Sequence, residues 1–461
     1  MSRSRFALTA LAAMLLAAAP SLQAVDLQSI PGTDTKLQVY GFVMAYGNYF
    51  ANGYEGPSNT ASSMFYAGQA PAIMNQSGNA TQNFAFNISP TRFGFASTTP
   101  SANLGDISTK IEYDLNGSNS HLRMAYIKIG GWTVGQAWST WTDLDAGADT
   151  VDWAGAIGSA CYDTPRIQQV SYTAAFDKNN TLQIGLEQNL GNGDGVTEVS
   201  GATKTTYVVT YPNAGAGGPG VPVVTTTTGV AVPAAGKLDG KLPSLVAAYT
   251  YSDSWGHIAL RALAQNYDVY IPATAYSSGT SSSVTTNPPQ AATPTAQANS
   301  SRFNKMQGAF QVSGDFKIAK DDLIFSVYNG TALGQYGNGI QSALINEATQ
   351  TITGYKSTGW VVGYTHNWSD TLRSNLVASG VTYSGDSAIA TTQGAGATDI
   401  KTMSAYFVNT IVKLSKSTEL GFEYVYEGAK GFGTNQGLDN NANPTSTVNA
   451  SKVEVALTAH F

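Results

Sequence analysis

Lys452-Val453-Glu454-Val455-Ala456-Leu457-Thr458-Ala459-His460-Phe461 closes the chain with a strict apolar/polar alternation. Successive side chains of a strand point to opposite faces, so Val453, Val455, Leu457, Ala459 and Phe461 share one face, and Lys452, Glu454, Thr458 and His460 the other. In water such an apolar chain end is a liability. With lipid on one face and a wet lumen on the other, the same strand is what a membrane barrel requires.

The opposite end of the sequence points to export. Arg3 and Arg5 precede an apolar run from Phe6 to Ala19, interrupted only by Thr9, and the small residue Ala24 follows. Charge, length and exit are those of a secretory signal peptide, expected to be removed after Ala24. The run is too short for a spanning helix, which needs about 20 apolar residues.

Of 461 residues 42% are hydrophobic and only 12% charged, where soluble domains carry about 25% charged residues. A mean hydropathy of −0.11 excludes a helical membrane protein, because it is alternating strands that hide an apolar half from such averages. The 24 Tyr and 7 Trp, set against 48 Gly, fit aromatic girdles and tightly turned strands. A net charge of −6 leaves no basic face for nucleic acid. Cys161 is the only cysteine, so no internal disulfide forms; it reads as a small buried loop residue.

From Lys36 onward, alternating segments come in pairs joined by short polar turns, such as Gly130-Gly131, Lys320-Asp321 and Ser369-Asp370. Long Gly/Ser/Thr/Asn/Pro-rich stretches separate the pairs, at about 51–81, 138–165, 190–242, 268–304, 330–355, 384–400 and 428–449. The spacing predicts about sixteen strands, an even number with both chain ends on one side. The expected fold is all-β: a transmembrane antiparallel β-barrel with short periplasmic turns and long extracellular loops. Residues 1–24 would be the signal peptide, 25–35 a short periplasmic segment and 36–461 the barrel domain, with sixteen strands enough to leave an open lumen. Strands near 372–383 and 403–413 read in either phase. The run Val221 to Thr228 is expected in an external hairpin, and Ser278 to Ser300 as mobile low-complexity sequence.

The most specific internal stretch runs from Arg123-Met124-Ala125-Tyr126 through Trp132-Thr133-Val134-Gly135-Gln136 to Trp141, followed by Thr164-Pro165-Arg166-Ile167-Gln168-Gln169-Val170-Ser171-Tyr172-Thr173. These segments resemble the DcaP-like porins, trimeric outer-membrane transporters of proteobacteria, in register over roughly 37–188 and again at the last strands. The resemblance implies a sixteen-stranded homotrimer that passes small anionic organic acids, notably dicarboxylates, through a lumen with basic residues. Members of that family carry a periplasmic coiled-coil extension, for which Val25 to Asp34 is too short and too marked by Pro31-Gly32. The expected partners are outer-membrane lipid and lipopolysaccharide, the barrel-assembly machinery that reads a terminal aromatic such as Phe461, and small anionic solutes.

The stretch at about 138–165 contains Asp143, Asp145, Asp149 and Asp152 and by position is the loop that folds into the lumen as a constriction. Acidic groups there would face basic ones on the wall and set a transverse field. The pore-lining candidates are Arg92, Lys110, Arg261, Lys305 and Lys452, each equally readable as a wall salt bridge with Glu112, Glu187, Glu423 or Glu454. Arg166 joins them because it follows the constriction loop and offers a planar fork to a carboxylate.

Enzyme signatures are thin. His121, His257, His366 and His460 lie in no nucleophile-elbow or zinc-helix pattern and read as strand-end or turn histidines. Gly191 to Gly195 reads as a flexible loop tip, and no cofactor or metal is expected. The function read from the sequence is an outer-membrane diffusion channel for small anions. A general, cation-tolerant porin is the first alternative, favoured by the net charge and the loop aspartates, and a surface β-structural adhesin the second.

Overall fold

A computed structural model describes residues 28–30, 33–52, 83–115, 121–152, 165–189, 196–198, 203–210, 223–230, 237–238, 241–271, 301–337, 342–346, 350–384, 400–432, 437–438, 444–445 and 447–461. The signal-peptide segment with Ala24, the tip 191–195, Trp153, Cys161 and the 278–300 stretch lie outside the described residues. Within them the chain forms a closed, sixteen-stave antiparallel barrel.

The staves are β1 (Lys36–Asn52), β2 (Asn83–Asn87 continued by Arg92–Ser101), β3 (Gly105–Asp114), β4 (His121–Ile129), β5 (Trp132–Trp138), β6 (Arg166–Ala175), β7 (Asn180–Glu187) and β8 (Ser244–Asp253). They continue as β9 (Gly256–Ile271), β10 (Ser301–Ile318), β11 (Asp321–Thr331), β12 (Lys356–Ser369), β13 (Leu372–Ser384), β14 (Ile400–Lys413), β15 (Thr418–Gly431) and β16 (Thr447–His460). Stave β2 is broken at Pro90, which has no N–H for the ladder; both halves still pair with β1. The short turns are three to four residues or fewer and share one end, the periplasmic one, while the long connections emerge at the other.

The terminal strand closes the ring. β16 pairs with β15 on one side and with β1 on the other, from Phe42 opposite His460 upward. Phe461 adds a reciprocal pair, donating its N–H to Gly41 O and accepting from Gly41 N–H, both at 3.0 Å. A Cβ at Gly41 would come within 2.9 Å of the Phe461 ring, so glycine there seats it. Deleting Phe461 is expected to lower the yield of folded, heat-modifiable barrel in outer-membrane fractions, because the seam loses both bonds. Wild-type yield of the deletion would contradict this.

Alternation sorts the two faces as the sequence predicts. Outward stand Phe310, Leu376, Val408, Phe422 and Tyr424, with Phe310 still 74% exposed, as a lipid-facing side chain should be. At the short-turn end Tyr251, Trp255, Phe316 and Phe325 stack in sequence and Trp132 lies against Tyr172, which is the interfacial girdle. No helix among the described residues is long and apolar enough to cross a membrane; the crossing is made by strands. Thr203–Thr210 pairs with Val223–Val230, the external hairpin expected around Val221 to Thr228.

The inner face is not uniformly polar. Ile324, Tyr328, Val361, Val377, Val381, Phe407, Val425 and Ala429 point inward from β11 to β15 and are buried. A short helical turn, Gly334–Tyr336, and the paired segments Ala343–Asn346 and Thr351–Gly354 fold inward over the same wall and bury Leu333, Tyr336, Leu344 and Tyr355 with it.

Candidate functional site

The segment 139–152 leaves β5 and crosses the bore. Its first anchor is Glu187 on β7, whose carboxylate accepts from Ser139 Oγ at 2.7 Å, Thr140 N at 2.7 Å and Tyr336 Oη at 3.0 Å. Trp141 is fully buried beside this anchor. Next, Asp143 Oδ2 accepts from Arg261 Nη1 at 3.0 Å and Ser313 Oγ at 2.5 Å, and lies 3.0 Å from His257 Nε2. His257 Nδ1 stands 2.5 Å from Asp315 Oδ1, and Lys317 bridges Asp315 at 2.9 Å to Asp322 at 2.7 Å. Gly256 at the head of β9 has φ +124°, and a Cβ there would lie 2.1 Å from Asp315 O; only glycine lets β9 bring His257 so close to Asp315.

The loop's other end is anchored across the barrel. Arg373 Nε donates to Asp149 at 2.6 Å while its two Nη groups grip Glu419 at 2.9 and 3.0 Å. Asn409 donates to Asp149 O at 2.9 Å. Val151 N and Asp152 N donate to Glu423 at 3.0 and 2.8 Å, and Lys452 Nζ reaches Asp152 at 2.5 Å and Glu454 at 2.7 Å. A Cβ on Gly421 would meet Val151 Cγ2 at 2.6 Å, so that glycine admits the loop. The anchors lie on β7, β9 and β10 at one end and on β13 to β16 at the other. Among the described residues the loop is therefore a chord, with the packed apolar wall on one side and β1 to β6 on the other.

On that second side stands a basic cluster. Arg92 on β2, Lys110 on β3 and Arg123 on β4 surround Glu112 and Asp114 of β3. Arg123 is the extra residue of a bulge, where the β3–β4 register shifts between Glu112 and Tyr113. The bulge turns its guanidinium onto Glu112 at 2.9 Å and Asp114 at 2.6 Å. Arg166 stands opposite Trp138 in the ladder, its guanidinium 4.9 Å from that ring, with Arg123 5.8 Å from it. The cluster brings three cations, Arg92, Lys110 and Arg123, to two carboxylates, Glu112 and Asp114.

The expected site residues thus separate into two groups. Arg92 and Lys110 gather on the wall beside the chord, and Arg166 lies against the Trp138 ring at the start of β6. Arg261 and Lys452 are lumen-phase as expected, but they are 7% and 2% exposed and tied to Asp143 and Asp152, and Lys305 donates to Ile352 O. Asp143, Asp149 and Asp152 meet their basic partners in direct contact instead of facing them across a gap; Asp145 is exposed with no ion pair among the described residues. His257, read as a strand-end histidine, is buried between two aspartates. Arg373 went unrecognised because its strand mixes polar and apolar residues on both faces and reads in either phase. Among the described residues no group of three His, Cys, Asp or Glu could hold a metal ion.

A closed sixteen-stave barrel with an inward-folded loop after its fifth stave defines an outer-membrane channel of the porin class. Residues 21–211 match the DcaP outer membrane protein family, which bears out the resemblance read from the sequence. The chain is similar to the outer membrane channel DcaP of Acinetobacter baumannii, with a TM-score of 0.65 at 17% identity, over 95% of this chain and 100% of that one. It is also similar in fold to OmpT of Vibrio cholerae, with a TM-score of 0.52 at 10% identity, over 94% and 100%. No curated protein matches the chain. The protein resides in the Gram-negative outer membrane.

Proposed function

We propose that this channel passes small anions by passive diffusion, dicarboxylates foremost. The observation that supports this most is the charge balance on that second wall, where three cations, two of them partly exposed, meet two buried carboxylates. The remaining acid-rich clusters are engaged as loop anchors. Weak, solvent-accessible cations along a narrow path would lower the barrier for an anion without trapping it. Reversal potential in a KCl gradient, with succinate added to one side, tests the reading. Anion preference with succinate block is expected; cation selectivity without block would replace this reading with a general, cation-tolerant porin.

We further propose a homotrimer held by barrel-to-barrel contacts. Gln168 is exposed on the outward face among Val170, Tyr172 and Val134, a polar group that lipid would not solvate and a neighbouring barrel would. Export through removal of Met1 to Ala24, recognition of Phe461 by the barrel-assembly machinery and contact with lipopolysaccharide belong to the same proposal.

A further inference from the structure

Glu112 is 3% exposed, and its two carboxylate oxygens take two hydrogen bonds and two longer ion pairs from groups on β1 to β4. Arg123 Nε donates to Oε1 at 2.9 Å and Tyr40 Oη to Oε2 at 3.0 Å. Arg92 Nε stands 3.9 Å from Oε1 and Lys110 Nζ 3.7 Å from Oε2. Three cations gathered this closely repel one another, and the carboxylate between them is what keeps them together.

The three cations are not equivalent. Arg123 is used up internally: it is 4% exposed and also bonds Asp114. Arg92 and Lys110 keep 26% and 27% of their side chains exposed, their contacts with Glu112 are long, and the buried Nε of Arg92 makes no hydrogen bond among the described residues. Each is braced by an aromatic ring of β1. The Arg92 guanidinium lies 5.0 Å from the Phe42 ring centre and the Lys110 ammonium 4.6 Å from that of Tyr40. Gly94 makes the brace possible, since a Cβ there would lie 2.5 Å from Tyr40 Oη.

We propose that Glu112 is a positioning residue for anion passage: it holds Arg92 and Lys110 at a fixed spacing on its two flanks, so that together they receive a solute with two carboxylates. The proposal rests on the anion-channel reading. A wall carboxylate then raises dicarboxylate affinity, against its own charge, because preorganised donors lose less freedom on binding.

The sign of that effect is the test, read in planar bilayers with succinate as the probe. Glu112→Gln removes one negative charge, so its reversal potential should move toward anions. The succinate concentration that halves the chloride current should nevertheless rise about fivefold as the two cations move apart. Tyr40→Phe changes no charge and should raise that concentration about twofold, through loss of one hydrogen bond to Glu112. Tighter block in Glu112→Gln would reduce Glu112 to a counter-charge and overturn the proposal. If Glu112→Gln yields no heat-modifiable barrel, unchanged block in Tyr40→Phe overturns it equally. A wild-type channel with neither anion preference nor block would instead overturn the channel reading, and this proposal with it.

Discussion

Asp143→Asn is expected to increase single-channel conductance and current noise together, because it opens one end of the chord. The variant leaves Arg261 buried without its carboxylate and deprives His257 of one of two partners. Removing one member of a buried ion pair typically costs about 3–5 kcal/mol, more than the hydrogen bonds from Ser139 and Thr140 to Glu187 can hold in place. The far anchor remains, so the loop should swing and not leave. Asp145→Asn, an exposed residue of the same loop, is the control and should leave conductance near that of the wild type. Equal conductance in the two variants would show that Asp143 does not latch the loop.

The same latch has a defined response to acid. Burial pushes the Asp143 carboxyl up, but hydrogen bonds from His257 and Ser313 and the Arg261 charge outweigh it and hold the carboxyl well below the usual carboxylate range. A depressed value stabilises the latched state fully above the free-carboxylate value of about 3.9, and the stabilisation fades only as pH falls through the depressed value. Acidification to pH 4 should therefore not release Asp143. A rise in conductance between pH 6 and 4 that is present in the wild type and absent in Asp143→Asn would contradict this.

Arg92→Glu combined with Lys110→Glu is expected to reverse the sign of ion selectivity. The cluster changes from three cations and two carboxylates to one cation and four carboxylates. A unit charge several ångströms from a passing ion is worth on the order of 1 kcal/mol even in water, so two reversals should shift the anion-to-cation permeability ratio by at least about tenfold. The effect should shrink in concentrated salt as the Debye length contracts. Reversing Arg261 or Lys452 should instead cost folded barrel, since both are buried among acids. Unchanged reversal potential in the Arg92/Lys110 variant, with the barrel folded, would move the solute path away from this wall.

The outward half of the barrel was legible in the chain because lipid imposes one rule on every residue that faces it. Met306, Phe310, Val312 and Phe316 stand outward against Lys305, Gln307, Gln311 and Asp315, as their alternation predicts. The rule fails for β13 and β14. There Val377, Val381, Met403 and Phe407 point inward yet are buried under folded-in segments, so apolar residues stand on both faces and the period of two blurs. Arg373 was hidden by that loss of phase, and Arg123, a strand-end arginine whose phase the sequence leaves open, is turned inward by a bulge that shifts phase within a single strand.

Local alternation and spacing along the chain are enough to specify the barrel and its stave number. Which charges remain available to a solute depends on contacts that form only when the barrel closes around its loop. Arg92 and Lys110 keep exposed surface, while Arg261, Arg373 and Lys452 are taken up by loop carboxylates between 118 and 300 positions away in the chain. All five are cations on the lumen wall. What separates them is the path of one loop across the bore, and pairings at such separation leave no trace in the periodicity of either partner strand.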